Sequence, residues 1–426
     1  MTSKKAIPAS SRFHHRIVTP IREFLADSRA GGIILIACTV ASLVLSNLGS
    51  TRDGYIGFWQ RAVQVPGMHL PGTVLLWVND VLMTFFFFLV GMEIKRELTI
   101  GELASVKKSL LPVLGALGGM LVPAMIFTFF NGDTAYRHGW GIPMATDIAF
   151  SLGVLSLLGN KVPLQLKIFL AALAIIDDLG AVITIALFYT TGMNLVYLLG
   201  AAACWGLVYL FSRRQLDNLL YYLIPGALMW YCLFNSGIHA TIAGVVMAFS
   251  MPLKCLGKLE HYLQRPVTFG IMPLFALANT AIILPGDPSV AFRSSVSLGI
   301  MAGLVLGKPL GIFLFTYVAT KLKVASLPSG TNYKQLFGMG LLGGIGFTMS
   351  IFTSNLAYGE DLLLVISKVS IICGSVVAAL GGYLYMYQLD KVVHPLFRAA
   401  KEKLPERRPR PVPRQDFSLT EEPVAV

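Results

Sequence analysis

Charge is scarce in this chain. Asp, Glu, Lys and Arg supply 13% of 426 residues, against about a quarter in soluble domains, which argues against a water-soluble enzyme or binding module. Cysteine is scarce too, and Cys38, Cys204, Cys232, Cys255 and Cys373 lack the paired spacing of a metal site or disulfide framework. They are expected as small apolar core residues, and no cofactor is expected. Residues 1–28 are polar and basic, with no apolar stretch ahead of the first long hydrophobic run, so no cleavable signal peptide is expected.

Apolar side chains fill the rest: 55% of residues are hydrophobic and the mean hydropathy is +0.69. The pattern predicts an all-α polytopic membrane protein of about twelve helices. The spans read as 31–48, 73–92, 109–131, 141–158, 164–190, 195–211, 219–236, 238–250, 266–284, 296–318, 338–357 and 363–388. The eighth is short for a full crossing, bounded by Gly237 and Pro252.

The net charge of +12 invites a nucleic-acid reading, but its distribution argues against one. Assigning tails and connections alternately to two faces puts 28 of the 34 Lys and Arg on one face and five on the other, Arg52, Arg61, Arg137, Arg293 and Lys368. The remaining one, Lys308, lies inside a span. By the positive-inside rule both termini are cytoplasmic, and the basic balance reports topology. The Pro- and Arg-rich segment from Lys403 to Arg414 reads as a disordered tail.

Against that background Asp177 and Asp178 stand out, adjacent in the middle of the apolar run Phe169–Tyr189. One aspartate at mid-membrane costs about 2.5 to 3.5 kcal/mol, so two in one helix imply contact with water, a cation or a proton path, or else a structural ion pair. Successive helical residues point about 100° apart, so the two acids are expected to divide their partners. Lys308 is the natural counter-charge. Asp80, Asp147 and His239 complete the ionisable groups read at membrane depth.

Asp147 follows Gly141-Ile-Pro-Met-Ala-Thr, an interruption of the fourth span, and Gly343-Gly-Ile-Gly interrupts the eleventh. If spans 3–5 and 10–12 are inverted three-helix repeats, these two broken helices occupy the same middle position, a pointer to a transport site at the midplane. Half-helix ends there carry partial charges that Asp147 and Lys308 are suited to neutralise. Packing through small residues is the structural alternative for the glycines. The organisation expected is a basic tail (1–30), an interface part with an outer hairpin (31–108), a first core repeat (109–190), a linking part (191–295), a second core repeat (296–390) and a disordered tail (391–426).

Several motifs resemble the NhaA family of bacterial sodium/proton antiporters. They include Val90-Gly-Met-Glu-Ile-Lys-Arg-Glu-Leu, Ala145-Thr-Asp-Ile-Ala-Phe-Ser-Leu-Gly, Leu173-Ala-Ile-Ile-Asp-Asp-Leu-Gly-Ala, Asn235-Ser-Gly-Ile-His-Ala and Gly344-Ile-Gly-Phe-Thr-Met-Ser. The similarity runs from about Ala30 to Asp390. That family is itself a type example of inverted repeats with broken helices, so the repeat pattern and the resemblance are one observation rather than two.

The resemblance implies electrogenic exchange of cytoplasmic Na+ or Li+ for external H+ across the bacterial inner membrane. It implies Asp178 as leading cation ligand and proton carrier, with Asp177 as a second ligand or the partner of Lys308. Thr146 and Asp147 belong to the broken-helix crossing, and Asp80 to the cation pathway. Glu93, Glu97, Glu260, His261 and His239 map to groups linked to pH regulation, although Gln264 stands where an imidazole is expected. The segment Tyr55-Ile-Gly-Phe-Trp to Gly67-Met-His-Leu is expected to form an outer hairpin of a homodimer. The chemistry of the residues agrees: Na+ prefers oxygen ligands, and buried carboxylate pairs hold protons and titrate as a unit. A sodium-coupled solute symporter on a similar scaffold is the alternative. An intramembrane aspartyl protease would need Tyr-Asp and Gly-x-Gly-Asp contexts, which do not occur here.

Overall fold

In the computed structural model, residues 28–402 are described, apart from 65, 191, 360 and 361. The N-terminal tail as far as residue 27 and the segment from 403 onward lie outside the described residues. The described chain is a helical bundle: α1 (Ser28–Asn47), α2 (Val74–Thr99), α3 (Val106–Asn131), α4 (Ile148–Leu157), α5 (Leu164–Phe188), α6 (Leu195–Arg213), α7 (Leu220–Ser236), α8 (Ile242–Ser250), α9 (Leu253–Pro266), α10 (Met272–Asn279), α11 (Ser295–Lys321), α12 (Tyr333–Gly343), α13 (Phe347–Ala357) and α14 (Leu362–Glu402). Among the described residues seven helices are long and apolar enough to cross a membrane, or eight if α12 and α13, bent by 46°, make one span. Exposed Leu, Ile, Val and Phe side chains cover the outside, as befits a bundle solvated by lipid.

Helix winding loosens where the sequence demands it. Pro273 and Pro309 each follow a π turn by two residues, at Val267–Ile271 and Gly303–Gly307. Proline has no N–H for the helical ladder, and the wider turn absorbs the break. A third π turn, Trp77–Leu82, frees the Asp80 carbonyl, which accepts from Thr84 Oγ1 at 2.5 Å and Trp230 Nε1 at 3.2 Å. Gly118 of α3 and Gly311 of α11 bring their backbones together: a Cβ on either would collide with the other's carbonyl. That crossing fixes the height of Lys308, one turn away.

Four expectations change. The segment Arg52–Trp59 is helical, with Asp53 in its first turn, and among the described residues pairing in this connection reduces to one isolated antiparallel bridge between Ala62 and Thr73. The connection between the expected eighth and ninth spans is the 14-residue helix α9, and Leu256 on its apolar face is buried. Lys368, counted with the outer connections, lies within α14 and is buried. α14 also continues to Glu402, so the tail expected to be disordered from 391 begins as helix; Ala399-Ala-Lys-Glu favours that state.

Candidate functional site

Two half-helices begin at the same place. Asp147 is the N-cap of α4, its Oδ1 accepting from Phe150 N at 2.9 Å. Its Oδ2 accepts from Thr348 N at 3.0 Å and Thr348 Oγ1 at 2.6 Å, in the first turn of α13. One carboxylate thus occupies the positive ends of both half-helices. The Asp147 amide donates to Ile345 O at 2.7 Å, tying the two extended links together.

The opposite end of α12 meets a positive charge. Thr146 Oγ1 lies 2.9 Å from Gly343 O, the last residue of α12, and 2.6 Å from Asp177 Oδ2. Lys308 Nζ donates to Thr146 Oγ1 at 2.5 Å and is ion-paired with Asp177 Oδ2. Both charged side chains are wholly buried. A hydroxyl has one proton, so with Lys308 donating to it Thr146 serves either Asp177 or the helix end.

Asp178 is turned away from this cluster. It lines a cleft of about 470 Å3, as do Asp147 and Thr348. Oδ1 of both Asp177 and Asp178 is buried without a hydrogen-bond partner. A carboxylate oxygen left unpaired in a dry setting is costly, and a cation or proton supplied through the cleft would relieve it. The cleft opens on the face where α1 begins and α2 ends, and Glu93, Arg96, Glu97 and Gln264 line its mouth.

The other expected residues divide between places. Arg96 joins Glu97, at 3.3 Å, to Glu260 of α9, with which it is ion-paired. Arg96 was not singled out from sequence, though Glu93, Arg96 and Glu97 share one helix face at i, i+3, i+4 spacing. His261 is exposed, edge-on to Tyr262, and does not join this network. His239 and Asp80 pair with each other, Nε2 to Oδ1 at 3.6 Å, and neither lines the cleft. Thr348 also escaped notice as a contact of Asp147; its only signal was its place after the Gly343–Gly346 interruption.

Crossed half-helices with balanced ends, a buried acid pair beside a lysine, and one-sided access define a membrane ion transporter rather than an enzyme. The family model described as Na+/H+ antiporter 1 matches residues 22–386, and the chain belongs to that family. Similar proteins include the Na(+)/H(+) antiporter NhaA of Cytophaga hutchinsonii, 49% identical over 377 residues, covering 87% of this chain and 96% of that protein. The Flavobacterium psychrophilum protein of that name is 46% identical, covering 86% and 96%. That of Salmonella typhi is 45% identical, covering 86% and 97%.

Proposed function

We propose that this chain is an electrogenic Na+(Li+)/H+ antiporter of the bacterial inner membrane, in which proton and cation compete for Asp178. Membership of the antiporter family supports the exchange, and solute symport finds no support there. The observation that carries the site assignment is the split of the acid pair: Asp177 is held by Lys308, while Asp178 stands at the cleft with an unpaired oxygen. Na+ reaches Asp178 through the cleft and gains a second carboxylate when Asp177 leaves Lys308. The Thr146 hydroxyl is available beside it. If only loaded states cross between the two faces, competition alone yields exchange.

The finer architecture belongs to the same reading: twelve spans, with α3–α5 and α11–α14 as inverted repeats whose middle members are the broken ones. The cleft faces the cytoplasm, because Lys95 and Arg96 lie at the end of α2 on that side. Glu93, Glu97 and Glu260 form the pH-responsive mouth, with His261 and His239 peripheral to it. Asp80 belongs to the opposite half of the path. Two copies associate through the connection between α1 and α2.

Inverted vesicles holding a proton gradient test this. Na+ and Li+, but not K+ or choline, should collapse the gradient in the wild type. Asp178→Asn, near-isosteric but unable to carry the proton, should remain folded and lose the response; a normal response in that variant contradicts the assignment.

A further inference from the structure

Three helices share a pattern leading away from the cleft floor. On α2 the order is Leu89, Phe87, Asn79; on α10 it is Met272, Phe275, Asn279; on α13 it is Met349, Phe352, Asn355. The first of each set lines the cleft, and the phenylalanines and asparagines do not. The Phe352 ring, 1% exposed, has its centroid 5.2 Å from Phe87, 6.5 Å from Phe275 and 5.2 Å from the edge-on ring of His239. Beyond this aromatic layer the asparagines bond to one another. Asn279 Nδ2 donates to Asn79 Oδ1 at 2.7 Å, and Asn355 Nδ2 donates to Asn279 Oδ1 at 2.7 Å.

We propose that these two layers are the gate closing the far side of the transport path while the cleft is open, with Phe352 the plug and the Asn279–Asn355 bond the latch. The inference rests on the exchange reading above. An apolar plug bars a hydrated ion because it offers no replacement for the ion's water. Amides suit a latch: paired they are satisfied when closed, and water satisfies them when open, so both states avoid an orphaned polar group. The surrounding backbone is built to yield. Asn79 sits in the π turn of α2, α10 follows directly on another, and α13 is a half-helix whose first turn is capped by Asp147 from the neighbouring link. π turns are places where helices commonly adjust at functional sites.

The test uses the full chain with its five cysteines replaced by serine and with Asn279→Cys and Asn355→Cys added. In cation-free membranes oxidation should join the two positions. Exchange should then fall at least about tenfold and return on reduction, while a Na+-induced thermal shift persists, because the cleft stays open. A crosslinked protein that exchanges at the reduced rate overturns the gate. Phe352→Ala is an independent arm: in proteoliposomes it should leak Na+ without proton counterflow, and a tight, normally coupled variant overturns the plug. Wild-type exchange measured alongside separates the two readings, since its absence refutes antiport itself.

Discussion

Adjacent aspartates are a compact way to place two unlike jobs at one depth. The helix separates their directions, so one carboxylate can be satisfied by Lys308 while its neighbour remains available at the cleft. Removing the ammonium should leave Asp177 buried without its counter-charge, and breaking such a pair costs about 3 to 5 kcal/mol. Lys308→Ala should therefore lower the unfolding temperature in detergent as well as exchange. Lys308→Ala with Asp177→Asn should recover part of the stability but not the exchange. Wild-type thermal stability in the single variant would contradict this account. The acids and the lysine were legible because a charge in an apolar run has few explanations. Thr348, Asn279 and Asn355 were not, since a hydroxyl or amide passes unnoticed in a membrane helix until its tertiary partner is seen.

Among the elements, the broken pair depends on a single side chain. Asp147 caps α4 and also accepts from the first turn of α13, so Asp147→Ala removes two caps, together about 2 kcal/mol. Asn keeps only one acceptor oxygen and can cap one of the two helices while its amide nitrogen faces the other's N–H, so Asp147→Asn should melt between wild type and Asp147→Ala. An alanine variant that melts with the wild type would show that the caps contribute nothing. Both helix breaks were legible from Gly and Pro inside apolar runs. Helix α9 was not, because a search for apolar runs passes over an amphipathic helix, although Leu253, Leu256, Leu259, Glu260 and Leu263 carry the spacing of one. α12 begins at Tyr333, five residues before the expected span, and its Asn332–Gln335 capping box was a readable start signal. The segment Tyr55-Ile-Gly-Phe-Trp reads as one arm of a hairpin, but Asp53, two residues after Thr51, marks a helix start.

For the whole molecule the central asymmetry is a cleft on one side of the acid pair and packed aromatic and asparagine layers on the other. Topology from hydropathy carries no information about which side is open, so this feature was legible only in the structure. A cysteine at Ala172, which lines the cleft, in a chain otherwise free of cysteine should react with a membrane-impermeant thiol reagent from the cleft face alone. Equal labelling from both faces in the resting protein would show that the far side is not closed. The claim that proton and cation share Asp178 is tested most directly by adding Na+ to the purified protein in weakly buffered detergent solution and recording proton release and Na+ affinity across pH. Competition predicts protons released on Na+ binding, an affinity that falls as pH falls by about tenfold per pH unit for each proton displaced, and no release in Asp178→Asn. Na+ binding without proton release, or with an affinity independent of pH, would contradict it.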